Sequence, residues 1–354
     1  MKVLIAPDSF KGSISNSDCA RAIAKGWLSV RPHDLLTLLP MADGGEGTLE
    51  TLLFSTSTSV RVATKLGDGR FWLLLQDGTA VVELANICGI TRSSTLNPLG
   101  ASTFELGQVL LEVLQDSRVM RLSVAVGGSG STDGGAGALM ALGARFINGK
   151  GESISLGGGG LSELAAIDLS EIPAAPAGRV VCLSDVTNPL LGKLGSARVF
   201  ASQKGASAEE IIALESGLQV LQQVAARSDF PGAGAAGGTP FGLSLTWDVS
   251  IESGALAVGA MIGLEKAIEE SDLVITGEGR LDSQSYYGKV VGTVTSLANQ
   301  LGKRTLYCVG SSSEPIDNLG VALVDLAPSL QEAMIHPGKW LVQAGVELAK
   351  RELD

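Results

Sequence analysis

The feature that most restricts how this chain can fold is a repeated order: a short apolar run, a glycine-bearing loop, then apolar residues at helical spacing. KVLIAP ends at Asp8-Ser9-Phe10-Lys11-Gly12, and apolar positions 19, 22, 23, 26, 27 and 30 follow behind a Ser15-x-x-Asp18 capping signature. LLTLLP leads to Asp43-Gly44-Gly45-Glu46-Gly47 and TLETLL, and LSVAV leads to GGSGSTDGGAG (127 to 137) and ALMALGARF. Strand, loop and helix in that order predict α/β architecture with a parallel sheet. The run FWLLLQDGTAVVEL differs, because two apolar stretches flank Asp77-Gly78, a hairpin turn pair. An antiparallel element after a parallel start suggests an inserted second domain. DLVITGEG, VVGTVTSLANQLG, RTLYCVG and the last helical stretch resemble the opening and return to its sheet. The expected division is 1–60 with 260–354 as one α/β domain and 61–259 as the insert, with the active site in the cleft between them. Gly157 to Gly160 and Gly232 to Gly238 read as flexible connections.

Composition narrows the function. A formal charge of -11 argues against nucleic acid or an acidic membrane as partner. The opening MKVLIAPDSF has only four apolar residues after Lys2, too few for a secretory leader core, and the longest later apolar run, ALAVGAMIGL, is too short to span a bilayer. Four dispersed cysteines, with no CxxC, give neither a zinc knuckle nor a disulfide framework and fit a reduced cytoplasmic setting. The two histidines, His33 and His336, sit beside prolines, so neither a Ser-His-Asp triad nor a multi-histidine metal site is expected. Chemistry is left to carboxylates, lysines, hydroxyls and backbone dipoles.

Two pentapeptides echo each other, DGGEG (43 to 47) and DGGAG (133 to 137), each just before a helical run. Free N–H groups at a helix start beside glycine backbone make an anion site, although turns of this kind also arise by chance among 46 glycines. The GxGxxG match at Gly232 to Gly237 follows RSDFP and not a strand, which argues against a dinucleotide fingerprint, and there is no GxxxxGK[ST] loop. Phosphoryl transfer needs cations against phosphate, a carboxylate for Mg²⁺ and a carboxylate to take the attacking hydroxyl's proton. The strand-end loops offer Asp8, Ser9 and Lys11; Asp43 and Glu46; Ser129, Ser131 and Asp133; Asp185 and Asn188; Gln203 and Lys204; and Glu278, Arg280, Asp282 and Lys289. The bland readings are helix caps and turns for Asp8, Asp43 and Asp185, and a mutual ion pair for Arg280 and Asp282.

These blocks, IAPDSFKGS, PMADGGEGT, NPL at 97 to 99, GGSGSTDGGAG, DVTNPLLG, SQKGA, GAGAAGG and ITGEGRLDSQSYYGK, run in one order along the whole chain. In them the chain resembles the glycerate kinases of the first bacterial type. The resemblance implies ATP-dependent phosphorylation of D-glycerate with Mg²⁺, usually to 2-phosphoglycerate, in a Rossmann-like α/β domain carrying a second, inserted α/β domain. It implies a phosphate cradle at Gly127, Gly128, Ser129, Ser131, Asp133, Gly134 and Gly135, with the helix start near Ala136 pointing at it and the 43 to 47 loop serving the same cleft. Lys11 and Lys204 then offset phosphate and carboxylate charge, Lys289 joins the cradle in binding the nucleotide, and Asp43 or Asp185 holds Mg²⁺. Ser9, Glu46, Asn188, Glu278, Arg280 and Asp282 serve the acid, and the base is Asp8 in preference to Asp133. The chain departs from the family's pattern at Gly130-Ser131-Thr132, where the family more commonly has Ala-Thr-Asn, at Ser184 in place of a cysteine, and at Ala201-Ser202 before QKGA. A 3-phosphate product, a homo-oligomer, a dehydrogenase of the same acid and a non-catalytic hydroxy-acid sensor stay open.

Overall fold

Ser15 caps the first helix as its sequence predicts. Its side chain accepts the Asp18 N–H, and Asn16–Val30 then buries Cys19, Ala22, Ile23, Gly26 and Trp27 on one face. The structure is a computed structural model and describes residues 1–56, 59–286 and 288–353. It is an α/β protein that divides into two compact units. The first comprises Met1–Asp43, Glu50–Ser57 and Ser253–Asp354, and the second Gly44–Leu49 and Thr58–Glu252. Gly44–Leu49 thus groups with the second unit, although it lies within the stretch 1–60. The chain re-enters the first unit at Ser253, whose side chain caps the helix Gly254–Ile262.

The first unit carries a five-stranded, wholly parallel sheet in the order Gly320–Ala322, Arg304–Val309, Leu273–Thr276, Lys2–Ile5, Leu35–Leu38. Side chains alternate across the strand Lys2–Ile5. Val3 and Ile5 join Trp27 and Leu341, from the helices Asn16–Val30 and Pro337–Arg351, in one core. Leu4 and Ala6 join Val290 and Val294, from the helix Val290–Gln300, in another. Coverage on both faces explains why the strands are continuous apolar runs.

From Lys2–Ile5 the chain crosses to Leu35–Leu38 on one side and later supplies Leu273–Thr276 on the other. The strand order therefore reverses beside the first strand. In open α/β sheets that is where a crevice forms, outside the carboxyl ends of the strands.

The second unit holds a six-stranded sheet in the order Val249–Glu252, Val180–Leu183, Arg121–Ala125, Thr79–Glu83, Phe71–Leu74, Val60–Ala63. Four strands are parallel, and the last two add antiparallel pairing through the hairpin at Asp77-Gly78. Gly78 has φ +80°, and the Asp77 carboxylate accepts the Thr79 N–H and hydroxyl. The helix Phe104–Gln115 buries Leu106, Val109, Leu110 and Val113, one face at helical spacing.

The glycine segments expected to be flexible are packed backbone. Gly158 and Gly160 are buried in a 3-10 turn over Gly158–Glu163, and Gly237 and Gly238 are buried next to the helix Thr239–Leu243. Glycine abundance there reflects close backbone approach and not mobility. The four cysteines are free, and no helix among the described residues is long and apolar enough to cross a membrane.

Candidate functional site

In the first unit, backbone hydrogen bonds extend the sheet past its strands and bring three loops to one edge. The Asp8 N–H donates to the Gly277 carbonyl (2.8 Å), the Met41 N–H to Pro7 (2.8 Å) and the Gly310 N–H to Glu278 (3.0 Å). Asp8, Asp43 and Glu278 therefore follow three adjacent strands at the point of order reversal. Phe10 and Ile14 exchange backbone hydrogen bonds at 3.1 Å, and Phe10 is buried. Gly12, at φ +76°, closes that turn and leaves Lys11 at its tip. Asn16 holds the neighbouring loop by donating to the Met41 carbonyl (2.9 Å).

Asp8, Ser9, Lys11, Asp43, Glu278, Arg280, Asp282 and Lys289 line one cavity of about 570 Å³. Lys11 Nζ donates to Asp43 Oδ2 at 3.0 Å. Asp8 accepts its neighbour's N–H, from Ser9, at 2.7 Å. Burial, followed by the charge of Asp43, pushes the Asp8 carboxyl up to about 8 against the opposing pull of Lys11. Burial also raises Glu278, and its Oε1 has no hydrogen-bond partner among the described residues. Desolvation pulls the Lys11 ammonium down, but Asp43 and Asp8 outweigh it and its pKa rises. Several carboxylates crowded around one lysine, with one buried oxygen unsatisfied, suit a cationic or proton-bearing partner better than a purely structural role.

Sequence reasoning did not single out Ser285, a buried hydroxyl that holds the Asp282 N–H at 3.0 Å and steadies Glu278. It also missed the apolar wall of the cavity, from Leu323 to Pro337. Ser285 was visible only as one serine in a polar stretch, and the wall carries no polar signal at all. Among the described residues no ion pair joins Arg280 to Asp282.

The second unit brings Gly127, Gly128, Ser129, Ser131, Asp133, Gly134, Gly135 and Lys204 together, in a different manner. The helix start after Gly135 is filled by Asp133 itself. Asp133 Oδ2 accepts from the Thr103 N–H and hydroxyl (2.8 Å each) and the Gly137 N–H (3.2 Å), and Oδ1 accepts from the Gly135 N–H (3.2 Å). Asp133 is fully buried. The echo loop is filled likewise, since the Glu83 carboxylate accepts the N–H groups of Gly47 (3.3 Å) and Leu49 (2.9 Å). The expectation that both helix starts stand open to an external anion is therefore corrected: each is neutralised by a carboxylate of the chain, which the dipole favours as it would a ligand.

The glycines there serve contact between backbones. A Cβ at Gly237 would lie 2.1 Å from the Ser131 carbonyl oxygen, one at Gly158 2.3 Å from that of Thr132, and one at Gly127 2.6 Å from Gly45. The Gly127 N–H donates to Gly44 (3.1 Å) and the Gly134 N–H to Gly237 (2.9 Å). Lys204 is buried and donates to the Ser131 carbonyl, and at 3.5 Å to Ser129 Oγ. Burial brings its ammonium down to about 8, with Asp133 opposing the shift. Gly128 alone in this loop is exposed.

Asp185 and Asn188 follow the strand Val180–Leu183. Asn188 closes its own loop by donating to the Leu194 carbonyl at 2.8 Å. Glu46 is exposed on the Gly44–Leu49 segment of the second unit. Asp43 and Asp185, the two carboxylates considered for Mg²⁺, thus belong to different units.

A family model described as the glycerate kinase family matches residues 3–352. The chain is 38% identical to the glycerate 2-kinase of Escherichia coli K12, over 89% of this chain and 87% of that one. It is 36% identical to a glycerate kinase of Halalkalibacterium halodurans, over 98% and 97%. A solved structure from Salmonella typhimurium LT2, described as a candidate glycerate kinase 2, superposes with a TM-score of 0.77 at 32% identity, covering 100% of this chain and 98% of that one. With a match along nearly its whole length and relatives of this identity, the chain belongs to the glycerate kinase family.

Proposed function

We propose that the protein transfers the γ-phosphoryl group of ATP to a hydroxyl of D-glycerate, giving 2-phosphoglycerate and ADP. The observation that carries this reading is the cluster of Asp8, Lys11, Asp43 and Glu278, set at the carboxyl ends of adjacent parallel strands where the strand order reverses. Asp8 is the group that takes the proton of the attacking hydroxyl. It is buried and its proton affinity is raised, as a base for an alcohol near neutral pH requires. Lys11, on its exposed turn, offsets charge on the acid or on the transferring phosphoryl group, and Arg280 and Lys289 extend that positive edge.

Among the described residues no group of three or more carboxylate, histidine or cysteine side chains is arranged to enclose a cation. That fits Mg²⁺, which keeps waters and is held by one or two carboxylates together with phosphate oxygens. Asp43 would hold it, with Glu278, whose oxygen lacks a partner, as the second carboxylate. When bound, Mg²⁺ neutralises phosphate charge and lowers the proton affinity of Asp8. Lys204 and Asp133 act by position, fixing the 127–137 loop of the second unit through their buried hydrogen bonds.

A ³¹P NMR time course with D-glycerate, ATP and Mg²⁺ tests the reading. A new phosphomonoester signal coupled to one proton is expected. Coupling to two protons would identify the 3-phosphate, and intact ATP with bound glycerate would favour a hydroxy-acid sensor.

A further inference from the structure

The cavity of the first unit is larger and more mixed in its lining than a three-carbon acid needs. Its volume of about 570 Å³ lies in the range that drug-sized ligands fill. Its lining includes the carboxylates and lysines described above. It also includes an apolar set from one stretch of chain, Leu323, Val324, Leu330, Ala333, Met334 and Pro337. Leu330 and Met334 stand one turn apart on the helix Leu330–Ile335, and they are 60% and 57% exposed. Ala333 of the same helix is buried in the core behind them. The helix is anchored by Ala333 and contributes Leu330 and Met334 to the cavity lining.

D-glycerate, polar at every carbon, has no use for such a wall. A nucleoside triphosphate matches both sets: a flat apolar base for the wall, and phosphates for Lys11, Arg280 and Lys289. The glycine loops of the second unit offer no equivalent, since their helix starts are filled by Asp133 and Glu83. We propose that Leu330 and Met334 form the platform for the nucleobase of the phosphate donor, which places the base-binding subsite in the first unit. This rests on the kinase reading above.

The test uses isothermal titration of the full-length protein with Mg²⁺ and either a non-hydrolysable ATP analogue, AMP-PNP, or inorganic tripolyphosphate, which has the charge but no base. The variants are Leu330→Ser and Met334→Ser, singly and together, with Met334→Leu as the conservative control. Both side chains are exposed, so the variants are expected to fold, as their thermal melts would show. Each single change should weaken AMP-PNP by about tenfold through lost apolar burial. Tripolyphosphate affinity and the KM for D-glycerate should stay unchanged, and Met334→Leu should behave as wild type. Unchanged AMP-PNP affinity in the double variant would overturn the platform and leave the kinase reading standing. An equal loss for tripolyphosphate, or a shift confined to D-glycerate, would also overturn it. A wild-type protein that binds no AMP-PNP would remove the kinase reading itself and the platform with it.

Discussion

The edge of the first unit's sheet and the glycine loops of the second unit are written in similar residues, yet the chain uses them in opposite ways. Asp43 and Asp133 each begin an Asp-Gly-Gly sequence. The Asp133 carboxylate is saturated by Thr103 and by two N–H groups of its own loop. Asp43 pairs with the end of an exposed lysine, beside a neighbour whose proton affinity its charge raises. A carboxylate whose hydrogen bonds are all supplied from within holds the fold. One left among like charges on a cavity is poised for a ligand, at some cost in stability. Asp-Gly-Gly alone does not distinguish the two outcomes.

That contrast can be broken by mutation, and the largest effect belongs to the exposed lysine. Lys11→Ala should lower kcat/KM by roughly 10²–10³-fold, as loss of one charge-stabilising donor does elsewhere, with its melting temperature close to wild type. Steady-state kinetics beside a thermal melt checks both, and unchanged kinetics would remove Lys11 from the reaction. Asp133→Asn should do the reverse. Exchanging a buried acceptor of several donors for an amide costs about 3 kcal/mol, read by denaturant unfolding. Gly237→Ala sharpens the point without touching any charge. A Cβ directed at the Ser131 carbonyl, at φ +73°, should cost about 2 kcal/mol in the same measurement.

The last effect concerns pH. The folded pKa of Asp8 is raised to about 8, above the ~3.9 of an unfolded aspartate. Between those values the folded state retains a proton that the unfolded state has released, so the Asp8 contribution falls as pH rises through this window. Asp8→Asn should therefore be more stable than wild type at pH 8 and above, with the advantage shrinking as pH falls through this window and vanishing towards pH 4. A variant without that pH-dependent gain would contradict the strained environment assigned to Asp8.

Much of the fold was legible because it depends on local periodicity. The capping serine at 15, the face of the helix Phe104–Gln115 and the turn at Asp77-Gly78 each declare themselves within a few residues. So did the gathering of Asp8, Lys11 and Glu278, since polar residues directly after apolar strands fall at one edge of a parallel sheet. What was not legible depends on distant partners. Glu83 reads as the end of a strand, and nothing near it announces that it caps a helix 36 residues earlier. The glycines at 158 and 237 look like linkers until the Thr132 and Ser131 carbonyls are seen against them. The same reason hides the wall at Leu330 and Met334, because exposed apolar residues on a short helix carry no pattern of their own.

The packing at Gly237 also has a consequence for inheritance. Every glycine codon has the form GGN, so each third-base change is silent, and each missense change at the first or second base specifies an amino acid with a side chain. All of those replacements would direct a Cβ at the Ser131 carbonyl oxygen. One base at a time, this position has no graded neighbours to drift through. A lineage either keeps the glycine or meets the clash in a single step, and a compensating shift in the 127–137 loop would have to arise with it.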